Sequence, residues 1–413
     1  MTGFFRQGPT LVCDGIPLGA LADTYGTPLY VMSAAAISER YRALDAAFAG
    51  YPHAIHYALK ANSTLAIVRL FRTLGSGVDA NSGGEIEVAL RAGFTPDRIV
   101  FSGVGKTSDE LARAVDLGVR SINVESAGEL ERVAALGRAR GTRVRVALRV
   151  NPDIDAQSHP HISTGLRANK FGIPIEDVRP LAARMRGADS IEIAGLHIHV
   201  GSQITDLEPL RRAASAIVRL ACELRDAGTP IEHLDVGGGL GVSYDGTRVP
   251  DAPEYAEAVL SAVRESGLPI VLEPGRQLVA PAGALLTRVV DVKAKGDGQQ
   301  FVIVDAGMTE LIRPMLYGAF HRIEPVERSS APPVTCDVVG PLCESSDTLG
   351  RDRILPAPDV GELYAVLDTG AYGAVMASNY NRRLMPAEVL IDDGRARVIR
   401  RRQTLDDLLA LET

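Results

Sequence analysis

Lys60 closes the apolar run HYALKA (56–61), His199 and Ser202 stand in HVGS, Gly237, Gly238 and Gly239 follow LDV, and Glu273 leads EPGR. A lysine at the end of an apolar strand either snorkels its charge to solvent or is kept for an amine that desolvation makes nucleophilic. Consecutive glycines either make a tight turn or let backbone N–H groups approach a phosphate closely. They do not form a dinucleotide fingerprint, which needs GxGxxG opening a helix. Glu273 either pairs with Arg276 or faces a pyridine nitrogen and keeps it protonated. Taken together, the residues describe a site for pyridoxal 5′-phosphate: Lys60 forms an imine, the glycines with the Ser202 hydroxyl hold a phosphate, Glu273 holds the ring nitrogen, and His199 stacks on the ring. Asp79, one strand along, supports the protonated imine or supplies a counter-charge.

His197 and His199 are two apart on one strand, so both point into the same space, and a metal has to be considered. A metal needs further histidine or carboxylate ligands. His159 and His161 are near in sequence, but no HExxH or comparable spacing completes a site. No metal is expected.

The elements that must position these groups form a strand–helix alternation. Candidate strands end at HYALKA (56–61), GVDANS (77–82), RIVFSG (98–103), SINVES (121–126), VALRVNP (146–152), AGLHIHVGS (194–202), HLDVGGG (233–239) and IVLEPGR (270–276). Amphipathic stretches such as SDELARAVDLG lie between them, several ending in glycine, a frequent helix stop. Eight such units predict an α/β fold, a (β/α)₈ TIM-type barrel over residues 31–276. Lys60, Asp79, Ser102, Glu125, Arg149, His199, the three glycines and Glu273 then all fall at C-terminal strand ends, the face on which such barrels build active sites. After Arg276 short β-rich segments separated by turn residues predict a second, antiparallel β domain, residues 277–413, joined by the N-terminal segment 1–30. TPLYVM is expected to add a strand to it.

Composition narrows the function classes. The 413 residues are 46% hydrophobic, enough for a substantial core, and the net charge of −7 gives no nucleic-acid footprint. No apolar segment predicts a membrane span, and the N-terminus lacks the pattern of a signal peptide. Cys13, Cys222, Cys336 and Cys343 show no CxxC pairing, which points to a reducing, cytoplasmic setting.

The motifs YALKAN, HVGS, GGG and EPGR occur here in the order found in the barrel-type pyridoxal-phosphate decarboxylases, which this sequence resembles. HPHISTGLRANKFGI (159–173), GLHIHVGSQI (195–204), RPMLYGAFH (313–321), GPLCESSD (340–347) and GAYGAVMASNYNRRL (370–384) are most similar to the diaminopimelate decarboxylase family. The resemblance implies decarboxylation of meso-2,6-diaminopimelate to L-lysine and CO₂, the last step of lysine biosynthesis. It implies that Lys60 carries the cofactor, with His199 on its ring and Ser202 and Gly239 at its phosphate. Gly237, Gly238, Gly275 and Arg276 complete the cofactor loops, Asp79 and Glu273 face the imine and the ring nitrogen, and Tyr372 reaches cofactor or substrate. Arg276, Arg313, Tyr317 and Glu344 would bind the far head group of the substrate: guanidiniums suit a carboxylate, Glu344 an ammonium. Cys343 would donate the proton after CO₂ leaves. It would enter with Glu344 from the partner of a homodimer, so that the active site is shared. The sequence departs from the family at Ser346, often glycine, and Phe320, often tyrosine. An alanine racemase, on a similar barrel, sets an arginine against the ring nitrogen where this chain has Glu273. A related decarboxylase acting on another basic or carrier-linked amino acid is the alternative.

Overall fold

The structure, a computed structural model, describes residues 3–155, 164–166, 169–296 and 298–413. Each of the eight expected strands forms: β1 His53–Ala58, β2 Gly77–Ala80, β3 Ile99–Phe101, β4 Ser121–Val124, β5 Val144–Asn151, β6 Ile191–Ile198, β7 His233–Asp235 and β8 Ile270–Leu272. Every one pairs in parallel with its successor. β8 then returns to β1 through Ile270 opposite His53 and Leu272 opposite Ile55, which closes the barrel. The strands are short runs of Val, Ile, Leu and Ala covered on both faces, so they read as continuous apolar segments.

The connecting helices start and stop where side chains satisfy their free backbone groups. Ser82, Thr107 and Ser126 accept from backbone N–H groups at the starts of Gly83–Ala92, Ser108–Leu117 and Ala127–Arg140. The same three helices end on Gly93, Gly118 and Gly141 in the left-handed conformation. Leu111, Ala114 and Val115, on one face of Ser108–Leu117, are buried.

The chain divides into two compact units: residues 41–242 with 249–277, which hold the barrel, and residues 1–40 with 243–248 and 278–413. The expected division at residues 30/31 falls inside the strand Leu29–Ser33, which belongs to the sheet of the second unit. That sheet runs Thr348–Pro356, Pro333–Val339, Gln299–Val304, Gly283–Gly296, Leu29–Ser33, Ala387–Asp392, Arg395–Arg400. It is mostly antiparallel but mixed. Gln299–Val304 pairs in parallel with Pro333–Val339, and Leu29–Ser33 pairs in parallel with Ala387–Asp392. The first parallel pair is allowed by a crossover long enough to include the helix Arg313–Tyr317; the second joins segments so distant in the chain that no turn dictates their direction. Period-two alternation divides the core: Leu286 packs with Val31, Ala365 and Val389, and Leu285 with Val302, Val338 and Val366.

Candidate active site

At the C-terminal end of the barrel the side chains are polar yet withdrawn from solvent. Asp79, Ser102, Asn123, Glu125, Arg149, His197, Asp235 and Glu273 are all buried. Burying so many polar groups is costly unless each finds a partner or a ligand.

Lys60 sits in the single 3₁₀ turn Leu59–Ala61 that ends β1, and its Nζ lies 3.6 Å from Asp79 Oδ2 on β2. Asp79 Oδ2 also accepts from Asn81 Nδ2 at 3.0 Å. Burial, then the nearby Glu273, pushes the Asp79 carboxyl upward against the pull of Lys60. The strand thus hands over an amine beside a buried acid, and Lys60 remains half-exposed.

The glycines after β7 pass the ends of β6 and β8 at backbone distance. A Cβ on Gly237 would lie 2.4 Å from the Ile198 carbonyl oxygen, on Gly238 2.2 Å from that of Glu273, and on Gly239 2.6 Å from that of Gly201. Gly237 and Gly239 have φ of 69° and 109°, which L side chains rarely adopt. Gly238 N–H donates to His199 Nδ1 at 3.3 Å, so the proton of a neutral His199 is on Nε2. Burial, then Lys60 and Arg149, holds the His199 ring far below the usual imidazole range, and it stays neutral. Arg276 is buried and donates to Ser202 Oγ from Nη2 at 3.0 Å and from Nε at 3.3 Å. Gly275 leaves room for the β1 turn; a Cβ there would lie 2.9 Å from Ala61 Cβ.

The structure therefore gathers Lys60, Asp79, His199, Ser202, Gly237, Gly238, Gly239, Glu273, Gly275 and Arg276 at one end of one barrel. The fit to pyridoxal phosphate rests on chemistry seen here: an amine beside an acid, a neutral imidazole, a buried carboxylate, a glycine turn, and a guanidinium placed with a hydroxyl. Arg276 stands with Ser202, the residue expected at the phosphate.

The remaining expected residues belong to the second unit. Arg313 is buried in the helix Arg313–Tyr317, and Tyr317 follows one turn later on the same face. Arg313 Nη1 meets His321 Nε2 at 2.6 Å, and its guanidinium lies 4.6 Å from the Tyr244 ring centre. His321 Nδ1 donates to the Leu367 carbonyl at 2.9 Å, so Nε2 is left as the acceptor. Cys343 and Glu344 are exposed on the loop between Pro333–Val339 and Thr348–Pro356. Cys343 N–H donates to Asn381 Oδ1 at 3.1 Å, and Tyr380 Oη donates to Glu344 at 3.3 Å. Buried Asp347 holds this loop from beneath, accepting from Met308 N at 2.6 Å and Leu342 N at 2.9 Å. Tyr372 is half-buried with a left-handed φ of 56°, a costly state for a residue with a Cβ.

Sequence reading passed over Asp235 and the pairing of His197, and gave Glu125 and Arg149 only as polar strand ends. His197, considered only as a metal ligand, meets Glu273 Oε2 from Nε2 at 3.1 Å. Asp235, inside LDVGGG, accepts from Gly237 N at 2.9 Å. Arg149 and Glu125 form a buried pair, and Glu125 also accepts from Gly172 N at 2.8 Å. Their signal was present, because each is a polar residue at a strand end. Of the motif 159–173, residues 159–163 and 167–168, including His159 and His161, lie outside the described residues. The described Thr164 donates to the His199 carbonyl at 2.7 Å.

Glu85 supplies a pH signature. It opens the helix after β2 and accepts from Asn81 N at 2.7 Å, yet burial raises its carboxyl to about 7. The folded protein then keeps a proton that the unfolded chain releases near 4.5, so stability is lost as pH rises from about 4.5 to 7, by on the order of 3 kcal/mol. Calorimetry of wild type and Glu85→Gln between these limits and above should show the Tm of the wild type falling behind that of the variant as pH rises. A Tm difference that does not change with pH would contradict this.

Residues 34–280 match the family model for the pyridoxal-binding domain of pyridoxal-dependent decarboxylases. The chain is 46% identical to the diaminopimelate decarboxylase of Neisseria meningitidis serogroup A over 98% of its own length and 99% of that protein's. Among solved structures, the diaminopimelate decarboxylase of Helicobacter pylori complexed with L-lysine superposes with a TM-score of 0.92 at 42% identity, over 96% of this chain and 99% of that one. The diaminopimelate decarboxylase of M. jannaschii in complex with L-lysine gives a TM-score of 0.94 at 35% identity, over 100% and 98%.

Proposed function

The chain belongs to the diaminopimelate decarboxylase family of pyridoxal-dependent decarboxylases, and we propose that it converts meso-2,6-diaminopimelate to L-lysine and CO₂, with pyridoxal 5′-phosphate held on Lys60. The observation that carries this reading is the set Lys60–Asp79, His199–Gly238, Arg276–Ser202 and Glu273 on one barrel end. When bound, the cofactor supplies a protonated ring that takes up the electron pair released as CO₂ leaves.

The protein's own groups do the rest. Lys60 Nζ gives the covalent anchor, and Asp79 is the acid beside it. Glu273 would offer its carboxylate to the ring nitrogen, and neutral His199 would pack against the ring without adding charge. The Gly239 backbone N–H, Ser202 Oγ and the Arg276 guanidinium would bind the phosphate dianion, the Gly237 and Gly238 N–H groups being taken by Asp235 and His199. Arg313 and Tyr317 hold the carboxylate of the distant head group, Glu344 its ammonium, and Tyr372 closes on the substrate. Cys343 Sγ delivers the proton to the α-carbon. In this reading the protein is a homodimer whose partner subunit supplies the Cys343–Glu344 loop to each site, and it works in the cytosol, where its free thiols stay reduced.

Amino-acid analysis of the cofactor-loaded protein incubated with meso-diaminopimelate, ornithine, arginine, and D- and L-lysine tests the substrate. Lysine should form from diaminopimelate alone. Bound cofactor without lysine formation would keep the cofactor and overturn the substrate in favour of a larger amino acid.

A further inference from the structure

Three acids from three strands converge on the place assigned to the ring nitrogen: Asp79 on β2, Asp235 at the end of β7 and Glu273 just past β8. All three are buried. Like charges this close in a dry setting do not all ionise, so the protein must choose which acid carries the negative charge. His197 on β6 stands among them; ligand atoms of His197, Asp235 and Glu273 all lie within 4.8 Å of one another.

The hydrogen bonds make the choice. His197 Nε2 is 3.1 Å from Glu273 Oε2, while His197 Nδ1 is buried with no partner among the described residues. A buried N–H without an acceptor costs more than a buried lone pair without a donor, so the proton belongs on Nε2, donated to Glu273. Asp235 Oδ1 is taken by the Gly237 N–H at 2.9 Å, which leaves its other oxygen for Glu273. Asn123 Nδ2 adds a long contact to Glu273 Oε1 at 3.5 Å. The other groups whose charge reaches this cluster are Lys60 and His56 from the β1 side, His199 beyond β6, and Tyr255 from the helix Ala252–Val263.

We propose that His197 and Asp235 are positioning residues which make Glu273 the charged carboxylate of this cluster and aim it at the ring nitrogen of the bound cofactor. The proposal rests on the functional reading above. His197 acts as a neutral donor from Nε2. Asp235 acts as a neutral acid that shares its proton with Glu273 without competing for the charge. The direction of each titration agrees: burial, then Glu273, pushes Asp235 far up. Burial would also raise Glu273, but the hydrogen bond from His197 and the nearby Lys60 bring it well below the usual carboxylate range. The same trio could hold a divalent cation only if Asp235 gave up its proton as well.

The test loads the protein with pyridoxal phosphate labelled with ¹⁵N in its ring and follows the ring-nitrogen signal by NMR across the pH range in which the protein stays folded. Cofactor uptake by the wild type, read by absorbance, is checked first. Failure at that step overturns the functional reading, and this proposal with it. Wild type and Asp235→Asn should keep the ring nitrogen protonated to the same pH. His197→Phe, which removes the donor, should lose the ring proton at least about one pH unit earlier. His197→Asn, which keeps a donor, should fall between them, and it carries the test if the phenylalanine variant does not fold. A midpoint unchanged by either His197 variant would overturn the proposal. So would an Asp235→Asn variant that behaves like His197→Phe, which would make Asp235 an anion. Tight calorimetric binding of Zn²⁺ by the apoprotein, lost in His197→Asn and blocked by the cofactor, would overturn it in favour of a metal trio.

Discussion

Lys60→Ala is expected to lower kcat by about a thousandfold or more while leaving the fold intact. The side chain is half-exposed on a one-turn connection, so its removal opens no core cavity. What disappears is the only nucleophilic amine beside Asp79 among the described residues. Two readings of Lys60 separate here. If it serves only as a counter-charge to Asp79 at 3.6 Å, Lys60→Arg restores most of the activity. If it is the covalent anchor, Lys60→Arg is as inactive as Lys60→Ala, because a guanidinium does not lose its proton at any pH the enzyme tolerates. We expect the second outcome, together with loss of the bound-cofactor absorbance in both variants. Activity of Lys60→Arg within about tenfold of wild type would reject the assignment.

Mixing two dead proteins should restore activity. On the proposal that Cys343 is the proton donor and enters the site from a partner subunit, Cys343→Ala is expected to be nearly as inactive as Lys60→Ala. When the two variants exchange subunits, half the dimers are mixed, and each mixed dimer has one site with both residues intact. Random exchange should therefore return about a quarter of wild-type activity. No recovery, with exchange confirmed by native mass spectrometry of isotope-labelled subunits, would place Lys60 and Cys343 of each site on the same chain. The measurement reports on the assembly and on the role of Cys343 at once, because a bystander thiol at 343 would leave the single variant active.

The barrel was legible because its strands are buried on both faces. Continuous apolar runs ending in a polar residue mark both the strand and its C-terminal end, and Lys60, Asp79, His199 and Glu273 were placed together on one barrel end that way. The side chains that were missed are read from the other side chains they meet. His197 was found as half of an HxH pair, but its partner is Glu273, 76 residues away. Local spacing carries no record of such a pairing. The same holds for Lys106, which looks like a surface charge in a loop yet is buried against Glu129 and the Asn123 carbonyl, each at 2.7 Å. Strand direction in the second unit was illegible for another reason. Period-two alternation fixes which face is buried but says nothing about parallel or antiparallel pairing, which depends on where distant segments meet. The seam at residue 40 was hidden as well, because the helix Ala34–Phe48 runs through it with no break in pattern.

Asp347 has one more consequence. By accepting the Met308 and Leu342 N–H groups it shapes the Cys343–Glu344 loop from within a single subunit. A loop shaped in advance surrenders little freedom on docking, so in the proposed homodimer the subunits would meet as rigid bodies. Their encounter then runs at the pace of collision and orientation, on the order of 10⁵–10⁷ M⁻¹s⁻¹, rather than waiting for a segment to order. When subunits separated by dilution are concentrated again, recovery of activity should follow second-order kinetics with no unimolecular lag.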